Sequence, residues 1–170
     1  MESNFLGFLG SGEMVCDRVD SHLNVHQEVL SVLPNALLKI QSGGLDFIKA
    51  EIDMGEIVGE TQCVATNDCD VIVFAKRPGR FGLTRFVKNR KPSPCEVVAI
   101  ILKKAEVEYI LITAFIGALA PPEPWDKRAF GFSTNPKLAE AEAHEFWATH
   151  ALVWGTQETI SGTETEKSPY

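Results

Sequence analysis

The sequence predicts an α+β domain. N-terminal helices pack on a central antiparallel sheet of four or slightly more strands, and one further helix lies near the C-terminus. Three observations lead there. Apolar residues recur at helical spacing before about residue 55, then switch to four stretches rich in Val and Ile. All but one of the connections between those stretches are short, as in an antiparallel meander. Asn135-Pro136 then places a capping side chain before a Pro suited to a first helical turn.

Residues 1–19 contain G-F-L-G-S-G and are expected to be irregular. Asp20 and Ser21 are N-cap types, and a helix is expected from His22 to about Leu33. Leu23, Leu30 and Leu33 form its stripe, widened by Val25, Val29 and Val32, with His26 at the apolar edge. Pro34-Asn35 reads as a break. Leu45 to Met54 reads as a second short helix, stopped by Gly55. The strand-like stretches are Ile57–Ala65, Asp70–Lys76, Glu96–Lys103 and Glu108–Ile116. A Pro-rich segment, Ala120 to Trp125, is expected to drape over the sheet in extended form. The C-terminal helix runs from Pro136 to about His150, with Ala139, Ala143, Phe146, Trp147 and His150 on one face. Residues 20–156 make one domain, and the polar tail 157–170 is expected to be disordered.

No apolar run approaches the roughly 20 residues that span a bilayer. The first residues lack the basic and apolar regions of a secretory signal, so a cytoplasmic protein without membrane attachment is expected. Cys16, Cys63, Cys69 and Cys95 then read as reduced thiols. None forms a C-x-x-C pair, and no His clusters with Cys or carboxylate at ligand spacing, so no metal and no cofactor is expected.

Charge singles out one stretch. Lys76 to Lys91 reads K-R-P-G-R-F-G-L-T-R-F-V-K-N-R-K, with seven Lys or Arg in sixteen residues and no acid. The whole chain carries 16 basic and 23 acidic residues and a net charge of −7, so this stretch opposes the global charge. A bound polyanion, a bound phosphate or carboxylate, or ion pairs with acidic partners would each account for it. Pro78, Gly79 and Gly82 make it a loop, and Phe81 and Phe86 interleave with the cations. That mixture suits RNA or another phosphate-bearing ligand, with guanidinium groups on phosphate and rings on bases. Lys76, Arg77, Arg85, Lys88 and Arg90 are the candidate phosphate or RNA contacts. Alternation along Tyr109–Ile116 places Thr113 with Tyr109, Leu111 and Phe115, opposite a wholly apolar face of Ile110, Ile112, Ala114 and Ile116. An Arg beside such a Thr could hold a phosphate. His26 and His150 lie on apolar helix faces, His22 and His144 on more open ones, and Glu60 is a candidate carboxylate partner. There is no nucleophile motif, P-loop or dinucleotide fingerprint.

F-A-K-R-P-G-R-F-G-L-T-R-F-V-K (Phe74–Lys88) and Y-I-L-I-T-A-F-I-G-A-L-A-P-P-E-P-W-D (Tyr109–Asp126) resemble stretches of uncharacterised bacterial proteins in the barnase–EndoU–colicin–RelE group of metal-independent ribonucleases. The resemblance implies a toxin-like RNA endonuclease that cleaves by 2′-OH attack on a phosphodiester. It places His26 as base, Arg77, Arg80 or Arg85 on the phosphorane (Arg80 foremost), and Thr113 beside it, and it implies an immunity or antitoxin partner. Such chemistry needs a base, an acid for the leaving group and cations on the developing charge. The spacing assigns no acid beyond His150 as a fallback. Two other readings stand beside it: a non-catalytic module gripping an anionic partner, and a pocket for a small anionic ligand under Trp125.

Overall fold

The computed structural model of the chain describes residues 4–17 and 27–169. Eleven strands occur among them: β1 (Asn4–Phe8), β2 (Met14–Asp17), β3 (Phe47–Asp53), β4 (Gly59–Thr61), β5 (Cys63–Ala65), β6 (Ile72–Lys76), β7 (Leu83–Val87), β8 (Ser93–Cys95), β9 (Val97–Ala105), β10 (Glu108–Ile116) and β11 (His150–Val153). The α-helices among them are α1 (Leu33–Leu37), α2 (Lys127–Phe130) and α3 (Pro136–Thr149). The protein is therefore mostly β, and the expectation of N-terminal helices on a four-stranded sheet is overturned. Strands come first, and the strands form sheets of five, four and two rather than one meander. None of the described helices is long and apolar enough to cross a membrane.

The chain forms two compact units, each built from two separate stretches: residues 1–61 with 94–119, and residues 62–93 with 120–170. The first unit holds the five-stranded sheet, in the order β1-β2-β10-β9-β3. The G-F-L-G-S-G segment is not irregular throughout. β1 and β2 pair antiparallel across it, and Gly12 turns the chain at φ +101°. Of the helix expected at 22–33, residues 22–26 lie outside the described residues, and the described part is not one continuous helix. A single 3-10 turn covers Gln27–Val29, and α1 carries Pro34 inside its first turn, where a missing N–H costs nothing.

The stretch read as a second helix is strand β3. F-I-K-A-E-I-D alternates strictly, with Ile48, Ala50 and Ile52 inward and Lys49, Glu51 and Asp53 outward, which is period two. It pairs antiparallel with β9 along its whole length, from Phe47 opposite Lys103 to Asp53 opposite Val97. β9 and β10 form the hairpin the sequence indicated, and β2 adds in parallel on the other side of β10. Val15, Leu33, Leu37, Ile100, Leu111 and Ile116 meet in this unit's core.

The second unit holds the four-stranded sheet, in the order β5-β11-β7-β6. The strand-like run 57–65 breaks at Gln62 into β4 and β5. β11, the most C-terminal strand, lies inside the sheet, parallel to β7 and antiparallel to β5. Both faces are covered, one fully and one in part: Ala151 and Val153 join Val64 and Val87 in burial, while the half-buried Leu152 packs on Val73, Ala75 and Phe86. A run such as A-L-V with both faces covered is typical of an interior strand. α3 matches its sequence reading. The Asn135 side chain accepts from the Leu138 N–H at 3.2 Å, and Ala143 and Trp147 are the buried residues. The polar tail runs along β6, with the Thr165 N–H donating to the Phe74 carbonyl at 2.8 Å.

Candidate anion-binding site

The basic stretch is mostly a hairpin. β6 enters it, Gly79 turns it at φ +75° with the Arg80 N–H donating to the Arg77 carbonyl, and β7 leaves it. Phe86 therefore sits in the core at 0% exposure, whereas Phe81 at the tip is 90% exposed.

Most of the cations are committed within the second unit. Arg77 donates from Nη2 to Glu123 Oε2 at 2.6 Å and from Nε to Thr84 Oγ1 at 3.0 Å. This pair is nearly dry, with side-chain exposures of 16% and 8%. Arg85 donates from Nη1 to Thr66 Oγ1 and to the His150 carbonyl, both at 2.9 Å. Arg90 lies 3.4 Å from the Asp70 carboxylate and donates to the Ala65 carbonyl at 3.1 Å. The Lys88 ammonium lies 4.8 Å from the Trp154 ring centroid and 3.7 Å from Glu164. Lys76 closes β6, and its backbone N–H donates to Thr163 Oγ1.

Arg80 differs. It is exposed at the hairpin tip and lines a cavity of about 420 Å³ with Gly79, Phe81, Trp125, Asp126, Lys127 and Arg128. No ion pair holds Arg80, Lys127 or Arg128 among the described residues. With Asp126 counted, the lining carries a net of two positive charges on a chain of net −7. Gly82 backs the indole of Trp125, and a Cβ at that position would overlap the ring. The indole Nε1–H is buried and has no acceptor among the described residues. Sequence reading picked out Arg80 and Trp125 but missed Lys127 and Arg128. Only their place in the short helix after Trp125 could have hinted at them.

The remaining expected site residues lie elsewhere. His26 is outside the described residues. Thr113 belongs to the first unit and Arg80 to the second. A bulge in β10 between Leu111 and Thr113 reverses the alternation expected there. Tyr109 and Leu111 are buried before it, Ala114 and Ile116 after it. Thr113 therefore shares its half-buried side with Phe115 but not with Tyr109 and Leu111. His150 is stacked on Phe146 with centroids 4.0 Å apart, and its Nδ1 lies 3.0 Å from the Phe146 carbonyl, so it serves packing. His144 lies 3.9 Å from Glu140 one helical turn away. Glu60 is exposed on β4.

All four cysteines are free thiols. Burial pushes the Cys63 thiol up to about 11, with the Glu123 charge adding to it. Burial raises Cys16 as well, again with a nearby carboxylate, Glu108. Among the described residues no three His, Cys, Asp or Glu groups gather as a metal site would require.

No protein-family model matches the chain, and no curated protein matches it. Among solved structures it is similar to a conserved hypothetical protein from Toxoplasma gondii ME49. The two are 13% identical, with a TM-score of 0.50 over 79% of this chain and 88% of that one. This likeness concerns the fold alone.

Proposed function

We propose that the protein is a non-catalytic binding module for a small anionic ligand, taken at the cavity under Trp125. The observation that carries this reading is the group of three cations without carboxylate partners, Arg80, Lys127 and Arg128, around an indole and an exposed phenyl ring. Cations left without internal partners at a concave site are available to a ligand's charge, and guanidinium groups suit phosphate or carboxylate. The Trp125 ring gives the cavity an apolar wall beside these cations. The metal-independent endonuclease is the weaker reading. Arg77 and Arg85, the other cations it would place on the phosphorane, already hold Glu123, Thr66 and the His150 carbonyl.

Isothermal titration with inorganic pyrophosphate tests the proposal. Saturable binding that weakens with salt is expected, reduced about tenfold or more in Arg80→Gln and Arg128→Gln, since a charge-assisted hydrogen bond is worth roughly 1.5–3 kcal/mol. No binding, or binding indifferent to both substitutions, would discard it. RNA cleavage in chelator that Thr113→Ala abolishes would favour the endonuclease instead.

A further inference from the structure

β6 is an edge strand of the second unit's sheet, and an open edge is a template for another strand. Here the chain's own C-terminal segment takes it. The Phe74 N–H donates to the Thr165 carbonyl at 2.7 Å, and the Thr165 N–H returns to the Phe74 carbonyl at 2.8 Å. Two residues on, the Lys76 N–H donates to Thr163 Oγ1 at 3.0 Å, and the Lys76 carbonyl accepts from the Ile160 N–H at 2.8 Å. Glu164 reaches Lys88. The segment anchors nothing in the core. Ile160 is 39% exposed, and no residue from 154 to 169 is buried. A stretch held by a few hydrogen bonds and no buried side chain opens more readily than the strands beneath it.

We infer that residues 160–165 are a displaceable occupant of a peptide-docking edge. In their place the edge takes an extended acidic segment of a partner protein. This surface is separate from the cavity under Trp125 and stands without the anionic-ligand reading.

The occupant shows what chemistry fits. Strand addition draws affinity from main-chain hydrogen bonds and specificity from alternate side chains. The segment reads T-E-T-E at 163–166, where the Thr163 hydroxyl replaces a ladder carbonyl and Glu164 meets Lys88. Beyond it, Ser168 lines a cavity of about 520 Å³ with Ile72, Phe74, Arg85, His144 and Trp147. Lys88, which meets Glu164 of the tail, favours a carboxylate at the same place on the incoming strand. A second copy's tail would only repeat the bonds already made in cis, gaining no contact while losing the freedom of a separate molecule. A partner strand can extend the ladder past the single bridge seen here.

The test uses the full chain and a fluorescent synthetic peptide with the sequence of residues 158–170. The Thr163→Ala/Glu164→Lys chain, with its own tail loosened, should bind the peptide about tenfold more tightly than the unaltered chain, because the cis tail holds the competent state to a minor fraction. A peptide carrying Glu164→Lys should lose most of that gain. Unchanged uptake by the loosened chain overturns the proposal. In the unaltered chain, the Phe74 and Lys76 amides should exchange with solvent faster than the Phe86 amide of β7, and excess peptide should slow them. Exchange of Phe74 as slow as that of Phe86 would also overturn it. A concentration-dependent dimer that forms without peptide and blocks its uptake would overturn the partner assignment in favour of tail exchange between copies.

Discussion

The flanks and the tip of the β6–β7 hairpin carry the same kind of side chain to different ends. On the flanks, Arg77, Arg85 and Arg90 are half-buried and bonded to Glu123, to Thr66 and the His150 carbonyl, and to Asp70. At the tip, Arg80 is exposed and joins Lys127 and Arg128 around a cavity. A charge near a sheet loses water and must be paired inside the protein, whereas a charge at a turn keeps its water until a ligand displaces it. The flank cations therefore hold the second unit together, and the tip cations are the ones available to a ligand.

The largest expected effect comes from breaking the flank. Arg77→Met leaves the Glu123 carboxylate, 8% exposed, without its cation. It should cost about 3–5 kcal/mol in denaturant titration, and adding Glu123→Leu should recover most of that loss. Loss of well under 1 kcal/mol would mean the pair is solvated and that flank and tip do not differ. Next comes the backing of the site. Gly82→Ala forces the Trp125 ring to shift and should cost roughly 1–3 kcal/mol while weakening pyrophosphate binding. A variant with both properties unchanged would show that the indole is not seated against this turn.

A smaller effect depends on pH. The Cys63 thiol lies at about 11 in the folded chain against an ordinary 9.0, so its protonated form belongs to the fold. Its contribution is complete below about pH 9 and is lost as the pH climbs towards 11, because the unfolded chain ionises first. Unfolding midpoints at pH 8 and pH 10.5 should fall less for Cys63→Ala than for the parent. Parallel falls would reject the assignment. At pH 8, alkylation should reach the exposed Cys69 well before Cys63. The smallest stability effect belongs to the tip: Arg80→Gln should change stability by no more than about 0.5 kcal/mol while reducing anion binding. A large loss of stability would place Arg80 with the flank.

Thr84 and Phe86 show why charge pattern alone misread this region. Both lie within the stretch that composition marks as a basic loop, and both are fully buried in β7. Pro78, Gly79 and Gly82 correctly mark a turn, but only across the hairpin tip. β3 was misread for a different reason. Its outward Lys49, Glu51 and Asp53 supply polar residues that a helix could also carry, and only its strict alternation marks a strand.

Local pattern was enough for the β9–β10 hairpin, for strand β6, and for α3 with its Asn135 cap, because each depends on neighbours within a few residues. Tertiary structure alone decided the bulge that turns Thr113, the entry of β11 between β5 and β7, and the pairing of Arg77 with a carboxylate 46 residues away. It also decided the assignment of Thr113 and Arg80 to different units. Such choices are made by which distant groups can be buried and paired together once the chain closes on itself. Loop closure costs only slightly more as separation grows, so no nearby residue has to announce the partner.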